Sequence, residues 1–288
     1  MQSTSLSLAS GVTVATYEAG NPAGGPVFFV HGNSFAADTF IRQFEAPELQ
    51  QFRLVAIDLP GHGQSAWTPE RYSLGSMRAT VGAAVQALGL EQALAVGHSY
   101  GGNLLLELLP SLPALRGLIA IAPPLSAISD FAEAYPNVEA RKLFFVENVS
   151  AGEVEAMARY ALGPRASAEE VALLQAAVEC ADGRIRSELT ASIAADLGDE
   201  RGHVARTNVP LAFVAGELDE TVLAPYFATL TAPSRWGPPL HRVPGTGHTP
   251  FLENPPAFNA LLLRFADAVV APGATKSGSG TQSLGAEC

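Results

Sequence analysis

The sequence is poor in cysteine, in lysine and in charge of either sign. Two cysteines, Cys180 and Cys288, are too few for a disulfide framework and are typical of a reducing compartment. Only Lys142 and Lys276 are lysines, and 17 basic residues stand against 28 acidic ones, which gives a net charge of −11. Neither nucleic acid nor a membrane surface is an expected partner, because both are bound through clustered basic side chains.

Long hydrophobic runs are also missing. No stretch of about 18 uninterrupted apolar residues occurs, which argues against a transmembrane helix. Residues 1–20 contain no Lys or Arg, so the basic start of a secretory signal is absent. Hydrophobic residues nevertheless make up 48% of the chain, against 16% charged ones, which excludes a disordered protein. We expect a soluble, globular, cytoplasmic protein.

Short apolar runs alternate with helical stretches before residue 125 and after residue 207. The expected strands lie at 12–17, 27–30, 54–57, 93–96, 118–121, 211–215 and 240–243. The expected helices between them lie at 37–46, 74–88, 101–109, 225–230 and 256–270. Several strands are apolar on both faces, as strands between two helix layers must be. The pattern predicts an α/β fold with a mostly parallel sheet and helices on both faces.

The region between these two parts contains helical stretches without a convincing strand. Its helix starts include two S-x-x-E capping boxes, Ser150 with Glu153 and Ser167 with Glu170. It carries −6 of the net charge of −11. The expected organisation is an α/β core at 1–124 and 208–270, a helical cap insert at 125–207 and a flexible tail at 271–288.

The strongest chemical signal is Gly97-His98-Ser99-Tyr100-Gly101, between an expected strand and an expected helix. G-x-S-x-G in this context is a nucleophile elbow, a sharp turn that holds the serine in a strained conformation at the carboxyl end of the sheet. The N-terminus of the following helix favours developing negative charge. Ser99 is therefore the candidate nucleophile.

A serine hydroxyl is a weak nucleophile and needs a base that a third group orients, here in the chain order Ser, acid, His. Asp219 and Glu220 follow one expected strand and His248 follows the next. All three therefore lie at the same edge of the sheet as Ser99. We expect His248 to be the base and Asp219 to orient it, with Glu220 as the alternative acid.

The tetrahedral oxyanion of acyl transfer needs hydrogen-bond donors. His31-Gly32-Asn33-Ser34 follows the buried strand at 27–30, where a first oxyanion loop is expected. We assign the backbone N–H groups of Asn33 and Tyr100 to the oxyanion hole, and the Asn33 side chain is either a substrate contact or a turn former. The sequence contains no phosphate loop, Cys/His metal cluster or dinucleotide fingerprint, so no cofactor and no metal are expected.

Over residues 12–270 the chain resembles the α/β-hydrolase superfamily. The resemblance is carried by H-G-N, D-L-P-G-H-G-Q-S, G-H-S-Y-G-G, G-E-L-D and G-T-G-H, in that order, at 31–33, 58–65, 97–102, 216–219 and 245–248. It implies an α/β-hydrolase fold with a helical cap and a Ser-acid-His triad. It also implies a structural role for Asp58 and His62 in the second motif.

A narrower resemblance is to the α/β-hydrolase-type N-acyl-homoserine lactonases of bacteria. It rests on H-G-N-S, D-L-P-G-H-G, A-P-P, V-E-x-x-A-R, D-G-R and G-H-x-P-F at 31–34, 58–63, 122–124, 154–159, 182–184 and 247–251. These enzymes use Glu as the triad acid, where this chain has Asp219. Their cap tyrosine corresponds to Met157, and Tyr160 lies one helical turn later. The resemblance implies a substrate contact at Met157 or Tyr160, although packing within the insert also explains Tyr160.

Several apolar side chains of the insert either line an acyl pocket or form the insert's own core. These residues are Phe131, Tyr135, Phe144, Phe145, Met157 and Leu162. Because the insert is acidic, neutral acyl substrates are expected in preference to anions.

The leading hypothesis is a cofactor-free serine hydrolase of a neutral ester or lactone, with an N-acyl-homoserine lactone preferred over a general carboxylesterase substrate. A perhydrolase, a hydroxynitrile lyase or a cofactor-free dioxygenase would keep the same triad. A ligand-binding receptor would keep the fold without catalysis. Ser99 disfavours the haloalkane dehalogenases and epoxide hydrolases, which need a carboxylate nucleophile. The expected partner is a small acyl compound, and the oligomeric state is open.

Overall fold

The computed structural model describes residues 1–123, 139–195 and 198–270. The candidate pocket residues Phe131 and Tyr135 and the expected tail lie outside the described residues. Within them, eight strands form one sheet in the order β1-β2-β4-β3-β5-β6-β7-β8. The strands are β1 (Ser3–Ser7), β2 (Thr13–Gly20), β3 (Pro26–Val30), β4 (Arg53–Ile57), β5 (Leu94–His98), β6 (Gly117–Ile121), β7 (Leu211–Gly216) and β8 (His241–Val243).

The sheet is parallel from β4 through β8, and only β1 and β2 pair antiparallel with their neighbours. Every residue of β5, β6 and β7 is buried. Since successive side chains of a strand point to opposite faces, helices or loops must cover both faces of this part of the sheet. The predicted α/β architecture with a mostly parallel sheet is confirmed.

The α-helices of the described residues are α1 (Ile41–Phe44), α2 (Leu74–Ala87), α3 (Tyr100–Leu108), α4 (Glu139–Lys142), α5 (Ala151–Ala161), α6 (Ala168–Cys180), α7 (Arg184–Ala195), α8 (Glu200–Arg206), α9 (Tyr226–Thr229), α10 (Pro250–Glu253) and α11 (Pro255–Val270). Both predicted capping boxes are present, at the starts of α5 and α6. In each, the serine side chain accepts from the third helical N–H while the glutamate accepts from the serine N–H. None of these helices combines the length and the apolar character that a membrane span requires.

Two elements differ from the sequence prediction. The expected helix at 37–46 is a 3-10 turn, Ala37–Phe40, followed by the single turn α1. Strand β1 was not predicted, because its sequence S-T-S-L-S lacks the alternation of apolar and polar side chains that marks a half-buried strand. It forms by pairing with β2 at the edge of the sheet, which is a tertiary contact.

The connection from β6 to β7 contains helices α4 to α8 and no strand among its described residues. The two strands nevertheless pair directly in the sheet, Leu118 opposite Leu211. The helical region thus leaves the sheet at one strand and returns to the next. The boundaries given above for a core and an insert stay a prediction.

Candidate active site

Ser99 lies at the turn between β5 and α3, where the sequence predicts a nucleophile elbow. Its backbone angles, φ 48° and ψ −118°, belong to a region that non-glycine residues rarely adopt. Gly97 permits the tight turn, because a Cβ atom there would lie 2.7 Å from the backbone of Gly101. Gly101 has no room for one either, since it would collide with the carbonyl oxygen of Val30. The turn therefore brings Ser99 to the N-terminus of α3 at the carboxyl edge of the sheet.

Backbone strain is concentrated at this edge. Among the described residues, the non-glycine residues with positive φ are Ser34 (64°), Ser99 (48°) and Ala122 (43°). They follow β3, β5 and β6, three consecutive strands of the sheet. Such conformations persist where the surrounding structure enforces them, and they cluster at functional sites. The strain therefore marks the same edge that the sequence motifs indicate.

Asp219 and His248 meet at this edge from the loops after β7 and β8. Asp219 Oδ2 lies 3.0 Å from His248 Nδ1, and the side chains are 1% and 9% exposed, respectively. Glu220 is exposed, and no hydrogen bond joins it to His248 within the described part of the chain. The geometry therefore favours Asp219 over Glu220 as the partner of the histidine.

The Asp219 carboxylate is held in its charged form. Burial disfavours the charge, but the proximity of His248 and hydrogen bonds from His248 and Thr221 outweigh burial and keep the pKa of Asp219 below its usual value. Thr221 donates to Asp219 Oδ1 from its backbone N–H at 2.7 Å and from its hydroxyl at 2.6 Å. A charged carboxylate can only accept, so His248 carries its proton on Nδ1 and leaves Nε2 available as a base.

The loop after β3 brings Asn33 to the pocket that Ser99 and Tyr100 also line. Asn33 and Tyr100 are buried, and among the described residues no acceptor is found for the backbone N–H of either. Tyr100 is the first residue of α3, where helix N–H groups have no intrahelical partner. The Asn33 side chain, by contrast, donates to the carbonyl oxygen of Phe144 at 2.8 Å. Two buried N–H groups beside Ser99 are thus available to an oxyanion.

Asp58 and His62 hold the backbone of this loop by hydrogen bonds. His62 Nε2 accepts from the backbone N–H of Ser34 at 3.1 Å, and its Nδ1 contacts the carbonyl oxygen of Pro60. Burial lowers the pKa of His62 well below its usual value, so the ring is neutral and can accept. Asp58 accepts from the backbone N–H of Ala37 at 2.7 Å. These contacts agree with the structural role expected for both residues.

His98, the neighbour of Ser99, contacts the backbone of His248. Its Nε2 lies 3.0 Å from the carbonyl oxygen of His248, so Nε2 carries the proton and donates. The ring stacks on Phe35 with an interplanar angle of 15°. Burial and the neighbouring His248 lower the pKa of His98 well below its usual value, which keeps the ring neutral. His98 therefore fixes the main chain of His248 by a hydrogen bond.

Glu253 is a residue of the site that the sequence analysis missed. Its carboxylate accepts from the backbone N–H groups of Gly163 (2.7 Å), Gly247 (3.0 Å) and Thr249 (3.2 Å). Gly163 follows α5, whereas the other two residues flank His248. One carboxylate thus joins the helical region to the loop of the histidine. A glutamate in the single turn α10 carries no sequence signal for such a role, because its partners are distant backbone groups.

Arg186 on α7 is a second missed residue. Its buried guanidinium donates to the carbonyl oxygens of Val146 (2.8 Å) and Glu147 (2.7 Å) and approaches Ser34 Oγ at 3.4 Å. It therefore connects the helical region to the loop that carries Asn33. Arg186 and Ser34 are 152 positions apart in the chain, so no local pattern could have revealed the contact.

The candidate residues surround one pocket between the sheet edge and the helical region. It is lined by Asn33, Ser99, Tyr100 and His248 on the side of the sheet, and by Phe144, Phe145 and Tyr160 on the side of the helices. Met157 and Leu162 are buried but are not among the described residues that line it. The structure thus brings the predicted triad, oxyanion and Tyr160 residues together and leaves Met157 in the packing of the helices.

Tyr160 presents a hydrogen-bond donor in this pocket. Its hydroxyl oxygen is buried and has no hydrogen-bond partner among the described residues. Burial, aided by the charges of Asp219 and Glu220, raises the pKa of Tyr160 to about 12, although Arg141 opposes the shift. The hydroxyl therefore keeps its proton at neutral pH. A buried donor of this kind is satisfied when a ligand supplies an acceptor.

Comparison with solved structures places this chain beside lactone- and ester-cleaving enzymes. The N-acyl homoserine lactonase AidH, complexed with N-butanoyl homoserine, is similar with a TM-score of 0.87 and 28% identity over 95% of this chain and 99% of that chain. An esterase from Exiguobacterium antarcticum is similar with a TM-score of 0.79 and 16% identity over 92% of this chain and 100% of that chain. The second likeness shows the fold alone.

Curated sequences give two kinds of match. The dihydrolipoyllysine-residue acetyltransferase component of the acetoin cleaving system of Pseudomonas putida is 38% identical over 110 residues, 37% of this chain and 29% of that protein. This chain spans less than a third of that relative and of its Cupriavidus necator counterpart. The pimeloyl-[acyl-carrier protein] methyl ester esterase of Xylella fastidiosa (strain M12) is 28% identical over 255 residues, 84% of this chain and 95% of that protein.

A family model covers most of the chain. The model of the alpha/beta hydrolase family matches residues 27–261, from β3 into α11, and so includes Ser99, Asp219 and His248. The strand order and the strained serine between β5 and α3 agree with this match. The chain belongs to the alpha/beta hydrolase family.

Proposed function

We propose that this protein is a serine hydrolase that cleaves a neutral carboxylic ester or lactone through an acyl-enzyme. One observation carries the proposal: a strained Ser99 at a helix N-terminus shares a pocket with His248, whose Nδ1 is hydrogen-bonded to the charged Asp219. A nucleophile, a base and the group that orients the base are the minimum for acyl transfer by a serine. The family and its ester- and lactone-cleaving members support the same reaction class.

The first half-reaction acylates the serine. Ser99 Oγ attacks the carbonyl carbon and gives its proton to His248 Nε2, while Asp219 stabilises the imidazolium. The carbonyl π electrons move to oxygen, and the backbone N–H groups of Asn33 and Tyr100 hold the resulting oxyanion. Collapse of this intermediate breaks the bond to the leaving oxygen, which takes the proton from His248. With a lactone, the leaving hydroxyl stays attached to the acyl group.

The second half-reaction releases the acyl group. Water attacks the acyl carbon and gives a proton to His248 Nε2, and the oxyanion forms again at Asn33 and Tyr100. Collapse then breaks the bond to Ser99 Oγ, which takes the proton back. The products are a carboxylic acid and an alcohol, or one hydroxy acid from a lactone, and the enzyme returns to its starting state. No step of this scheme draws on a cofactor.

We propose residues 125–207 as a cap that closes the pocket over this machinery. Side chains from α4, α5, α7 and α8 and from the 3-10 turn after α4 form one wall of the pocket, opposite the loops that carry Ser99 and His248. Phe144, Phe145, Leu189 and Ile193 make that wall largely apolar. An apolar wall suits an acyl chain, because burying hydrocarbon contributes about 25 cal/mol per Å².

The preferred substrate is an N-acyl-homoserine lactone, which is neutral and carries an acyl chain. The similarity to the lactonase AidH over nearly the whole chain supports this choice. The similarity to the methyl ester esterase over 84% of the chain supports a general carboxylesterase as the second candidate. Both substrates present a carbonyl to the same serine, so the pocket rather than the triad decides between them.

The substrate assay compares lactones and esters of matched chain length. Purified protein is given N-hexanoyl- and N-decanoyl-homoserine lactone, followed by acid release, and p-nitrophenyl hexanoate and decanoate, followed by absorbance. We expect the lactones to be opened with a kcat/KM at least equal to that of the matched ester. If the lactones open no faster than in buffer while the esters are cleaved, the carboxylesterase replaces the lactonase. Turnover of neither, together with no active-site labelling, contradicts the hydrolase itself.

Tyr160 is proposed to donate its hydroxyl to a carbonyl of the bound lactone, in place of a contact at Met157. Tyr160→Phe removes only that hydroxyl, so we expect KM for the acyl-homoserine lactone to rise about two- to tenfold, the usual effect of one neutral hydrogen bond, with little change in kcat. The p-nitrophenyl esters, which lack the second carbonyl, should be nearly unaffected.

Tyr72→Phe is the matched control for this variant. The Tyr72 hydroxyl also is buried, but it donates to Asp182 Oδ2 at 2.9 Å and does not line the pocket. We expect Tyr72→Phe to lower thermal stability and leave KM unchanged. Equal KM values for Tyr160→Phe and the wild type would contradict the substrate contact.

A further inference from the structure

Thr221 lies two residues after Asp219 and touches both members of the acid–base pair. Its hydroxyl oxygen is 2.6 Å from Asp219 Oδ1 and 2.5 Å from His248 Nδ1. The direct contact between Asp219 Oδ2 and His248 Nδ1 is longer, at 3.0 Å. Thr221 is 8% exposed and lines the same pocket as Ser99. The nearest polar atom to Nδ1 is therefore a hydroxyl and not the carboxylate.

The direction of these hydrogen bonds follows from the groups involved. The charged Asp219 carboxylate has no proton, so Thr221 must donate its single hydroxyl proton to Oδ1. The hydroxyl then has only lone pairs left for His248, and Nδ1 must be the donor across the 2.5 Å contact. Thr221 and Asp219 therefore both require the proton of the imidazole to be on Nδ1.

We infer that Thr221 is a positioning residue that shares the Nδ1 proton of His248 with Asp219 and thereby selects the tautomer whose Nε2 accepts the proton of Ser99. The inference rests on the proposed function, because it assigns a role within the same acyl transfer. Thr221 accepts from the imidazole and donates to the carboxylate, so it also links the two charges when His248 is protonated. Charge-assisted hydrogen bonds are about twice as strong as neutral ones, and this link strengthens as the imidazolium forms.

The effect of the Thr221 hydroxyl can be tested without changing the conformation of the loop. The turn from Asp219 to Thr221 is closed by the backbone N–H of Thr221, which donates to Asp219 Oδ1 at 2.7 Å. Valine has nearly the shape of threonine and keeps this backbone bond. Thr221→Val therefore removes the link to His248 while the carboxylate keeps one of its two bonds to residue 221.

The other titratable groups around His248 do not compete for this role. Glu253 accepts from the backbone N–H groups of Gly247 and Thr249 and not from the imidazole. His98 from β5 contacts the carbonyl oxygen of His248, and burial keeps it neutral. Tyr160 from α5 lines the pocket and stays protonated at neutral pH. Asp219 is the charged group in contact with the imidazole among the described residues. A change in the pH profile of a Thr221 variant would therefore report on the His248–Asp219–Thr221 cluster.

The test is the full chain with Thr221→Val and Thr221→Ser, assayed with p-nitrophenyl butyrate from acidic to alkaline pH. For Thr221→Val we expect kcat to fall about ten- to a hundredfold, the effect of one hydrogen bond to a charged group, with KM within about twofold. The rise of kcat/KM with pH should move to lower pH, because the imidazolium loses an acceptor and gains an apolar neighbour. Thr221→Ser keeps the hydroxyl and should restore both kcat and the profile.

Thr246→Val is the matched control, because Thr246 is a buried threonine of the His248 loop whose hydroxyl donates to the carbonyl oxygen of Val243 at 2.9 Å. It should alter thermal stability more than kcat or the pH profile. A folded Thr221→Val with the kcat and pH profile of the wild type would overturn the inference. So would a Thr221→Ser that is as impaired as the valine variant.

A second readout separates this inference from the proposed function. The rate of covalent labelling by a fluorophosphonate depends on activation of Ser99 and not on which ester is the substrate. We expect Thr221→Val to be labelled more slowly than the wild type and Thr221→Ser to be labelled at a similar rate. If Thr221→Val is labelled at the same rate as the wild type, the role of Thr221 is overturned. If the folded wild type is neither labelled nor active, the hydrolase itself is contradicted.

Discussion

Ester hydrolysis is expected to be lost in Ser99→Ala, with kcat falling by about 10⁴- to 10⁶-fold, the usual result of removing the nucleophile of a triad. The alanine deletes the one atom that forms the bond to the acyl group and leaves His248 without a proton to accept. The residual rate would come from the oxyanion donors and from binding alone. The measurement is the kcat for p-nitrophenyl butyrate, beside the thermal unfolding curve.

The fold should survive this change. Position 99 has a positive φ angle, which costs an alanine about as much as a serine, and the glycines at 97 and 101 keep the turn open. Ser111→Ala is the matched control, because Ser111 is exposed and lies beyond the C-terminal end of α3. We expect Ser111→Ala to keep the activity of the wild type.

Labelling by a fluorophosphonate distinguishes an enzyme from a receptor that only keeps the fold. The wild type and Ser111→Ala should be labelled, and Ser99→Ala should not. Labelling that persists in Ser99→Ala would show a different nucleophile. Failure to label the folded wild type would favour a ligand-binding receptor.

Asp219→Asn is expected to lower kcat by about 10⁴-fold, whereas Glu220→Gln should change it by less than about twofold. An asparagine at 219 can turn its NH₂ group toward His248, which then accepts on Nδ1 and carries its proton on Nε2, where it cannot act as a base. Glu220 is exposed, and no hydrogen bond joins it to His248 among the described residues. The pair of variants, assayed with the same ester, decides between the two acids that the sequence left open.

The outcome that contradicts this assignment is a large loss in Glu220→Gln with a small loss in Asp219→Asn. The KM values should stay close to that of the wild type in both variants, since neither side chain is proposed to touch the acyl group. A rise in KM without a loss of kcat in Asp219→Asn would indicate a role in binding instead.

The pH dependence of folding stability gives a second test of the charged state of Asp219. Folding lowers the pKa of Asp219, so its charge stabilises the folded state above the pKa of an unfolded aspartate. That contribution is lost as the pH falls through the lowered pKa that Asp219 has in the folded protein. Urea unfolding of the wild type should therefore lose stability on acidification, and Asp219→Asn should lack this part of the loss.

Much of the fold could be predicted because its signals are local. The buried strands of the sheet are short apolar runs, and their bounds agree with the structure to within a few residues. The capping boxes at Ser150 and Ser167 need only four consecutive residues to be recognised. Strand β1 was missed because it forms by pairing with β2 at the edge of the sheet, and its own sequence carries no signal for this pairing.

The residues of the candidate site could be predicted only where a residue has a recognisable neighbourhood in the chain. Ser99 lies between two glycines that a tight turn requires, and His248 and Asp219 end strands of the sheet. Thr221 has no such signature, since a threonine two residues after an acid is ordinary in a loop. Glu253 and Arg186 likewise act on backbone groups that are distant in the chain.

By itself, the sequence determined the class of fold, the tight turn at Ser99 and the edge of the sheet at which the candidate residues meet. These follow from hydrophobic periodicity and from turn glycines, which act between residues close in the chain. Only the tertiary structure decided that Asp219 rather than Glu220 meets His248, that Tyr160 rather than Met157 lines the pocket, and that Thr221 contacts the imidazole. Those outcomes depend on how separate loops and helices pack against one another, which no local pattern encodes.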